Sequence, residues 1–456
     1  MKPRTMGKPI FFTLFFAITT VVAGGWAWLE SAERGREQAQ AAFERKRLAL
    51  LENENERLRS VLDGHEKAGR EAQETAVRRE IEEAAARLRG LSFRKPVDYN
   101  TLHRSEVKEV VLRKIAEQYT DDEFEAIRRA YIALGLLPEG YDLKAAYVNL
   151  LGEQIAAFYD QHAGKLFMFE DARLESLNNR VILAHELVHA LQDQHYNLRA
   201  LPLELKTNDD RAIAAAAVVE GDATAVMNQY MLENISARGL GQTFASLFTQ
   251  SIEELQAAPR LLRETLLFPY TEGLKFCMTV LESEGSLDEV YRDVPESTTQ
   301  ILHPERYFAG ERPIPVEWPS GEVLGTAPVA DNVLGELGTR ILLSDWGSEA
   351  GAAEIAAGWR GDRYRVFRTG GEGAALAWRT LWRTPEAREA FVAAATEMWA
   401  RRYRAKPLAA NDGVTPFESG AGRVLRLVRL PEKNAVLLVD APDEPWADAL
   451  RERFGK

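Results

Sequence analysis

Residues 181–198 read VILAHELVHALQDQHYNL. Between Val181 and Leu191 the only polar residues are His185, Glu186 and His189. A segment apolar on every side is a helix inside a core, not one lying on a surface. Asn178 and Asn179, just upstream, suit its start. Burying a lone carboxylate and two imidazoles without partners costs on the order of several kcal/mol. A bound metal ion removes that cost. His185 and His189 are four residues apart, so both rings leave one helix face about a turn apart.

That spacing lets two ring nitrogens bind one Zn²⁺ at about 2.0–2.1 Å. Glu186 follows the first ligand and can face the open coordination position, where a proton has to be taken and passed on. The pattern is the H-E-x-x-H motif of zinc metalloproteases. A third ligand must be His, Glu or Asp. His195, six residues past His189, leaves the helix on a different face. Residues 212–227, AIAAAAVVEGDATAVM, form a second buried helix whose only charges are Glu220 and Asp222. Glu220 is therefore assigned as the third ligand of one catalytic zinc ion. The small neighbours Gly221 and Ala223 are expected to let this helix approach the metal helix closely. Asp222, two residues on, points elsewhere, as a supporting partner or a cap.

With AHELVHALQDQH at 184–195 and EGDAT at 220–224, the chain resembles the gluzincins, the thermolysin-like clan of zinc proteases. It is most similar to a group of bacterial zinc metalloproteases carrying those two strings. The resemblance runs from about Leu91 to the C-terminus and is densest at 150–235 and 265–315. It implies a helix-rich α+β zincin-like domain with a small edge sheet. It also implies zinc on His185, His189 and Glu220. Thermolysin places an Asp four residues after its ligand Glu to hold a zinc histidine; here that position is Thr224, a departure from that pattern.

Working upstream, Ala156–Asp160 and Lys165–Glu170 read as two short strands of a hairpin, with His162 at an exposed tip. In zincins such an edge strand lines the cleft and pairs with an extended substrate backbone. Hydrolysis also needs a donor for the oxyanion. Two segments offer one: His303 in Ile301–Tyr307, and Tyr270 in Phe268-Pro269-Tyr270, at the start of an apolar helix over 271–282. His303 is preferred. His65 and His103 have no such setting. Downstream of residue 330 an α/β support subdomain is expected. It has a helix over Asn332–Ser344, strands at Tyr364–Arg368 and Ala374–Trp382, and a helix over Pro385–Arg404. A second hairpin (Val424–Leu430, Ala435–Asp440) and a closing helix (Trp446–Phe454) follow. Trp359, Trp378, Trp382 and Trp399 read as core.

Further out, Ile10–Leu29 is twenty residues without a charge, enough for a helix of about 30 Å. Lys2, Arg4 and Lys8 precede it, so the N-terminus is expected in the cytoplasm. A cleaved signal peptide is the rival reading, but its apolar core is usually shorter. Residues 31–90 are a charge-balanced stalk of helix formers. Leu48, Leu51, Asn55, Leu58 and Leu62 allow a short parallel homodimer through 44–62, or the stalk is a solvated single helix. The domains expected are thus 1–30 anchor, 31–90 stalk, 91–329 metalloprotease and 330–456 support.

The whole chain has 456 residues and a net charge of −12; residues 91–456 hold 41 basic and 55 acidic side chains. So acidic a body argues against a nucleic-acid partner. The one cysteine, Cys277, excludes an internal disulfide and a cysteine-based zinc site. These readings converge on a membrane-anchored zinc metalloendopeptidase acting on a protein or peptide substrate. It would sit as a single-pass protein in a bacterial inner or cell membrane, catalytic domain outside. A zinc-dependent hydrolase or deacylase of other amides, and a non-catalytic envelope scaffold with a retained metal site, are the alternatives.

Overall fold

The computed structural model describes residues 72–152, 157–234, 255–347, 349–430 and 432–455. Residues 72–89 form a helix, α1. A small sheet follows from β1 (Asp98–Leu102), β2 (Ala157–Asp160) and β3 (Lys165–Phe169), in the order β1-β3-β2. Helices α2 (Val107–Gln118), α3 (Asp121–Leu134) and α4 (Leu143–Gly152) connect β1 to β2. β1 runs parallel to β3, while β2 pairs antiparallel with β3 as the expected hairpin and forms an edge.

Two long helices come next, α5 (Leu177–Tyr196) and α6 (Asp209–Asn234), then α7 (Arg260–Glu284). α7 runs through Pro269 and begins eleven residues before the expected helix, so the proline does not mark a start. Pro269 lacks the N–H that the Thr265 carbonyl would accept, so packing, not local propensity, sustains this helix. Gly221 on α6 faces α7 and not the metal helix: a Cβ added there would lie 2.3 Å from the Gly273 carbonyl oxygen. The close approach expected of Gly221 is therefore made to a different partner. Ala223 does pack in the core beneath α5.

After α8 (Thr298–Leu302), α9 (Pro304–Phe308) and β4 (Pro328–Asn332), the chain forms α10 (Gly335–Trp346) and α11 (Glu349–Ala356). It then lays down β5 (Trp359–Gly370), β6 (Gly373–Trp382), α12 (Pro385–Tyr403), β7 (Lys406–Pro407), β8 (Val414–Glu418), β9 (Val424–Leu430), β10 (Ala435–Ala441) and α13 (Glu444–Phe454). The seven strands form one sheet, β4-β5-β6-β10-β9-β8-β7, with every pairing antiparallel. The C-terminal unit is thus α+β and not α/β. Trp359, Trp378, Trp382 and Trp399 are buried in a core that also holds Leu134 and Val218, so this sheet and the helical body share one hydrophobic interior.

The fold is mixed α+β, and two expectations about it are corrected. Among the described residues no helix is long and apolar enough to cross a membrane. The apolar stretch of α5 is covered by protein: Leu183, Leu187 and Val188 are wholly buried against other helices and the small sheet. The transmembrane element of the expected fold class and the single-pass membrane localisation are therefore withdrawn. The segment 10–29 that suggested them lies outside the described residues, as do the seam 44–62 and His65. The second correction concerns the end of the stalk: Ile81 and Ala85 of α1 are fully buried and pack with Val181 and Leu187. Residues 72–89 belong to the body.

Candidate metal centre

The metal helix α5 follows Ser176, so Asn178 and Asn179 fall inside its first turn; Asn179 Nδ2 donates to the Arg173 carbonyl at 2.7 Å. Its far end is closed by Asn197 in a left-handed conformation (φ 53°), whose N–H returns to the Asp193 carbonyl. Between these ends, His185, Glu186 and His189 are completely buried, as is Glu220 on the facing helix α6.

The structure brings the three expected ligands together. His185 Nε2 and His189 Nε2 lie 2.9 Å apart, and Glu220 Oε2 lies 3.2 Å from the first and 3.5 Å from the second. A point about 2 Å from all three atoms exists just off their plane, the bond length and apex position of a tetrahedral metal site. Neither oxygen of Glu220 makes a hydrogen bond, although both are buried. Glu220 thus faces two imidazole nitrogens but accepts no hydrogen bond, short of what a buried carboxylate requires. A cation answers the deficit, and His185, His189 and Glu220 could hold a metal ion.

The electrostatics agree. Burial drives the His185 imidazole down to about 4, helped by neighbouring His189. Burial also opposes charge on His189, but the Glu220 and Glu186 carboxylates outweigh it and hold this imidazole above its ordinary value. Burial pushes Glu220 up, yet His189 and His185 overcome that and keep it below the usual carboxylate range. At neutral pH the cluster thus presents a neutral imidazole and an ionised carboxylate, both ready donors.

Glu186 is fixed from the small sheet: the Tyr159 N–H on edge strand β2 donates to its Oε2 at 2.7 Å. The Tyr159 hydroxyl in turn donates to Asp193 on the metal helix at 2.8 Å. Behind His189, Gln192 accepts from ring Nδ1 at 2.8 Å, and Gln192 is held by the Val219 carbonyl and Asp222. Asp222 also receives the Tyr291 hydroxyl at 2.7 Å and the Arg89 guanidinium at 2.8 Å. It is a supporting partner, as one of its two expected roles had it. Thr224 Oγ1 is buried with no hydrogen-bond partner and supports no ligand.

The two oxyanion candidates part company. His303 Nε2 faces Glu336 at 2.7 Å, a carboxylate it shares with Arg306 and Thr299. The Tyr270 ring is the one that reaches the metal cluster, its centre 6.4 Å from that of His185. Tyr270 sits there because α7 continues through Pro269, which a reading of the proline as a boundary could not anticipate. The remaining described histidines stand apart from the centre. His195 is bonded to the Ser92 carbonyl at 2.7 Å, His162 to Glu204, and His103 to Glu170.

Gln192, Arg89, Tyr291 and the Tyr159 N–H were not singled out from sequence. Gln192 alone left a trace: a polar residue three positions from His189, on the same face of an apolar helix. Among known proteins, residues 322–451 match a family described as a domain of unknown function, DUF8575. That match covers the C-terminal sheet and none of the metal cluster. No curated protein and no solved structure matches the chain.

Proposed function

We propose that the chain is a zinc-dependent hydrolase that cleaves peptide bonds in a protein or peptide substrate. The observation that carries this reading is the convergence of His185, His189 and Glu220 on one point, with Glu186 next in sequence to the first ligand. Two imidazoles and one carboxylate, with a fourth position left to solvent or substrate, are the donor set of catalytic zinc. When bound, zinc supplies Lewis acidity, which polarises a carbonyl oxygen and brings the pKa of a water near 7.

The side chains divide the remaining work. Glu186, held by the Tyr159 N–H, takes the proton of the attacking water and delivers it to the leaving amine. Tyr270, whose ring stands against His185, donates to the developing oxyanion in place of His303, whose ring is taken up by Glu336. Because the cluster is sealed from solvent, substrate entry requires neighbouring elements to part. That same complete burial favours a second reading, a structural metal site without turnover.

One substitution separates the two. In zinc-loaded full-length protein, Glu186→Gln should leave zinc stoichiometry unchanged. Cleavage of an unfolded protein substrate should fall by roughly 10²–10⁴-fold, the usual contribution of a general base. Unchanged cleavage overturns the mechanism. A wild type that holds zinc but cleaves no peptide, amide or ester substrate establishes the structural reading instead.

A further inference from the structure

The two histidines of the cluster differ in what stands behind them. His185 Nδ1 is buried with no hydrogen-bond partner, whereas His189 Nδ1 meets Gln192 Oε1 at 2.8 Å. Gln192 is itself completely buried. Its amide can be oriented from its neighbours alone. Nε2 lies 2.9 Å from the Val219 carbonyl oxygen and 3.0 Å from Asp222 Oδ2. An ionised carboxylate and a carbonyl only accept, so the atom facing them is the NH₂ group. The oxygen of the amide therefore faces His189, and an oxygen there only accepts. His189 Nδ1 must carry a proton. In the neutral ring the lone pair is then on Nε2, and Nε2 is the atom aimed at His185 and Glu220.

The carboxylate that orients Gln192 is oriented in turn. Asp222 is 1% exposed and lies between the Tyr291 hydroxyl and Arg89, whose side chain is 6% exposed. The Arg89 guanidinium is 5.9 Å from the centres of both the Tyr196 and Tyr291 rings and also meets Asp288 at 3.3 Å. Arg89 is the last helical residue of α1. The chain of contacts runs from α1 through α6 and back to α5: Arg89, Asp222, Gln192, His189. Each link permits one donor–acceptor direction, so the arrangement transmits a proton position and not merely a packing constraint.

We propose that Gln192 is the positioning residue for His189, and that Asp222 and Arg89 fix the direction of its amide. The tautomer that turns the His189 lone pair toward the metal position is thus set from helix α1. The proposal rests on the reading of His185, His189 and Glu220 as metal ligands, but it concerns the apo ring as well. Gln192→Met keeps the volume and removes the acceptor. Asp222→Asn touches no ligand but puts an amide where only an acceptor stood, so that Gln192 can turn either way.

The test uses the full chain freed of metal by chelation. Zinc affinity is measured by competition with a chromophoric chelator, and the His189 tautomer by nitrogen-15 NMR of histidine-labelled apoprotein. Gln192→Met should weaken zinc binding by about 10- to 100-fold, the usual effect of losing such a partner. Its His189 should change from one tautomer to a mixture. Asp222→Asn should do the same to a smaller degree, about 3- to 10-fold on that scale. It also carries the test if Gln192→Met fails to fold. Wild-type affinity together with an unchanged tautomer in the folded variants overturns the proposal. A wild type that shows the Nδ1–H tautomer but binds no zinc instead overturns the ligand reading beneath it.

Discussion

Two carboxylates in this molecule are buried to nearly the same depth and provided for in opposite ways. Asp362, on β5 of the C-terminal sheet, is 2% exposed and receives four donors. They are the Leu334 N–H at 3.0 Å and the Gly335 N–H, Trp359 Nε1 and Trp378 Nε1 at 2.9 Å each. Glu220, on α6 of the helical body, is 0% exposed and receives no hydrogen bond at all. The fold satisfies the first from within, so Asp362 is architecture: it ties the start of α10 to the sheet. The fold leaves the second without a hydrogen bond, in a cluster that could hold a metal ion. A buried charge is informative in proportion to what its surroundings fail to supply.

That contrast predicts a sharp difference between deletions. Asp362→Ala leaves four buried donors unpaired and should destabilise the full chain by about 3–5 kcal/mol, the range for breaking a buried charged network. Chemical denaturation of the metal-free protein reads this. A loss below about 1 kcal/mol would mean that water reaches those donors and that Asp362 is not architectural.

Next in size is a dependence on pH from the junction between the two regions. Burial pushes Asp210 up to about 7, with like-charged Asp362 adding to it against the pull of Ser297 and Thr298. Neighbouring Asp209 is pushed up to about 6 by burial. A carboxyl whose folded pKa is raised keeps a proton that the unfolded chain has released. Stability from these groups is therefore highest near pH 4 and falls as the pH rises to about 7, where it levels off. The fall is on the order of a few kcal/mol. Asp210→Asn should flatten most of it, as denaturation at pH 4.5 and 7.5 would show. An undiminished slope would assign the effect to other groups.

The smallest effect is expected where the charge is buried deepest. In metal-free protein, Glu220→Gln should change stability by no more than about 1 kcal/mol, since no hydrogen bond is lost and the cost of burying the charge offsets its attraction to His189. Zinc at a thousandfold excess over its Kd should stabilise the wild type by about 4 kcal/mol. It should leave the variant unmoved, and a chelator should erase the difference. If metal-free Glu220→Gln loses as much as Asp362→Ala, the two carboxylates are alike and the contrast fails.

Much of the molecule was legible beforehand because it is local. The β2–β3 hairpin, the paired strands β5–β6 and β9–β10, and the helices α5 and α12 follow from periodicity and turn residues. The hairpin strands, β6, β9, β10 and α12 lie within a residue of their expected bounds, while β5 begins five residues before its expected start. His185, His189 and Glu220 stood out because a polar residue in an apolar helix is rare. Tyr270 did not outrank His303 because the reading began the helix at Pro269, where the structure carries it through from Arg260. The helical stretch 72–89 looked like solvated stalk because its charges dominate its composition, and two positions, Ile81 and Ala85, bury it.

By itself the sequence determined which side chains share a face: His185 with His189, Glu220 apart from Asp222. Helix geometry converts spacing directly into direction, so no partner is needed to draw that conclusion. Only the tertiary structure decided what stands opposite each face. It set Gly221 against α7, the Tyr159 N–H against Glu186, and Arg89 against Asp222, a residue 133 positions away along the chain. No periodicity reaches that far. Those contacts exist because packing buried the groups together, and each then had to find a donor, an acceptor or an ion.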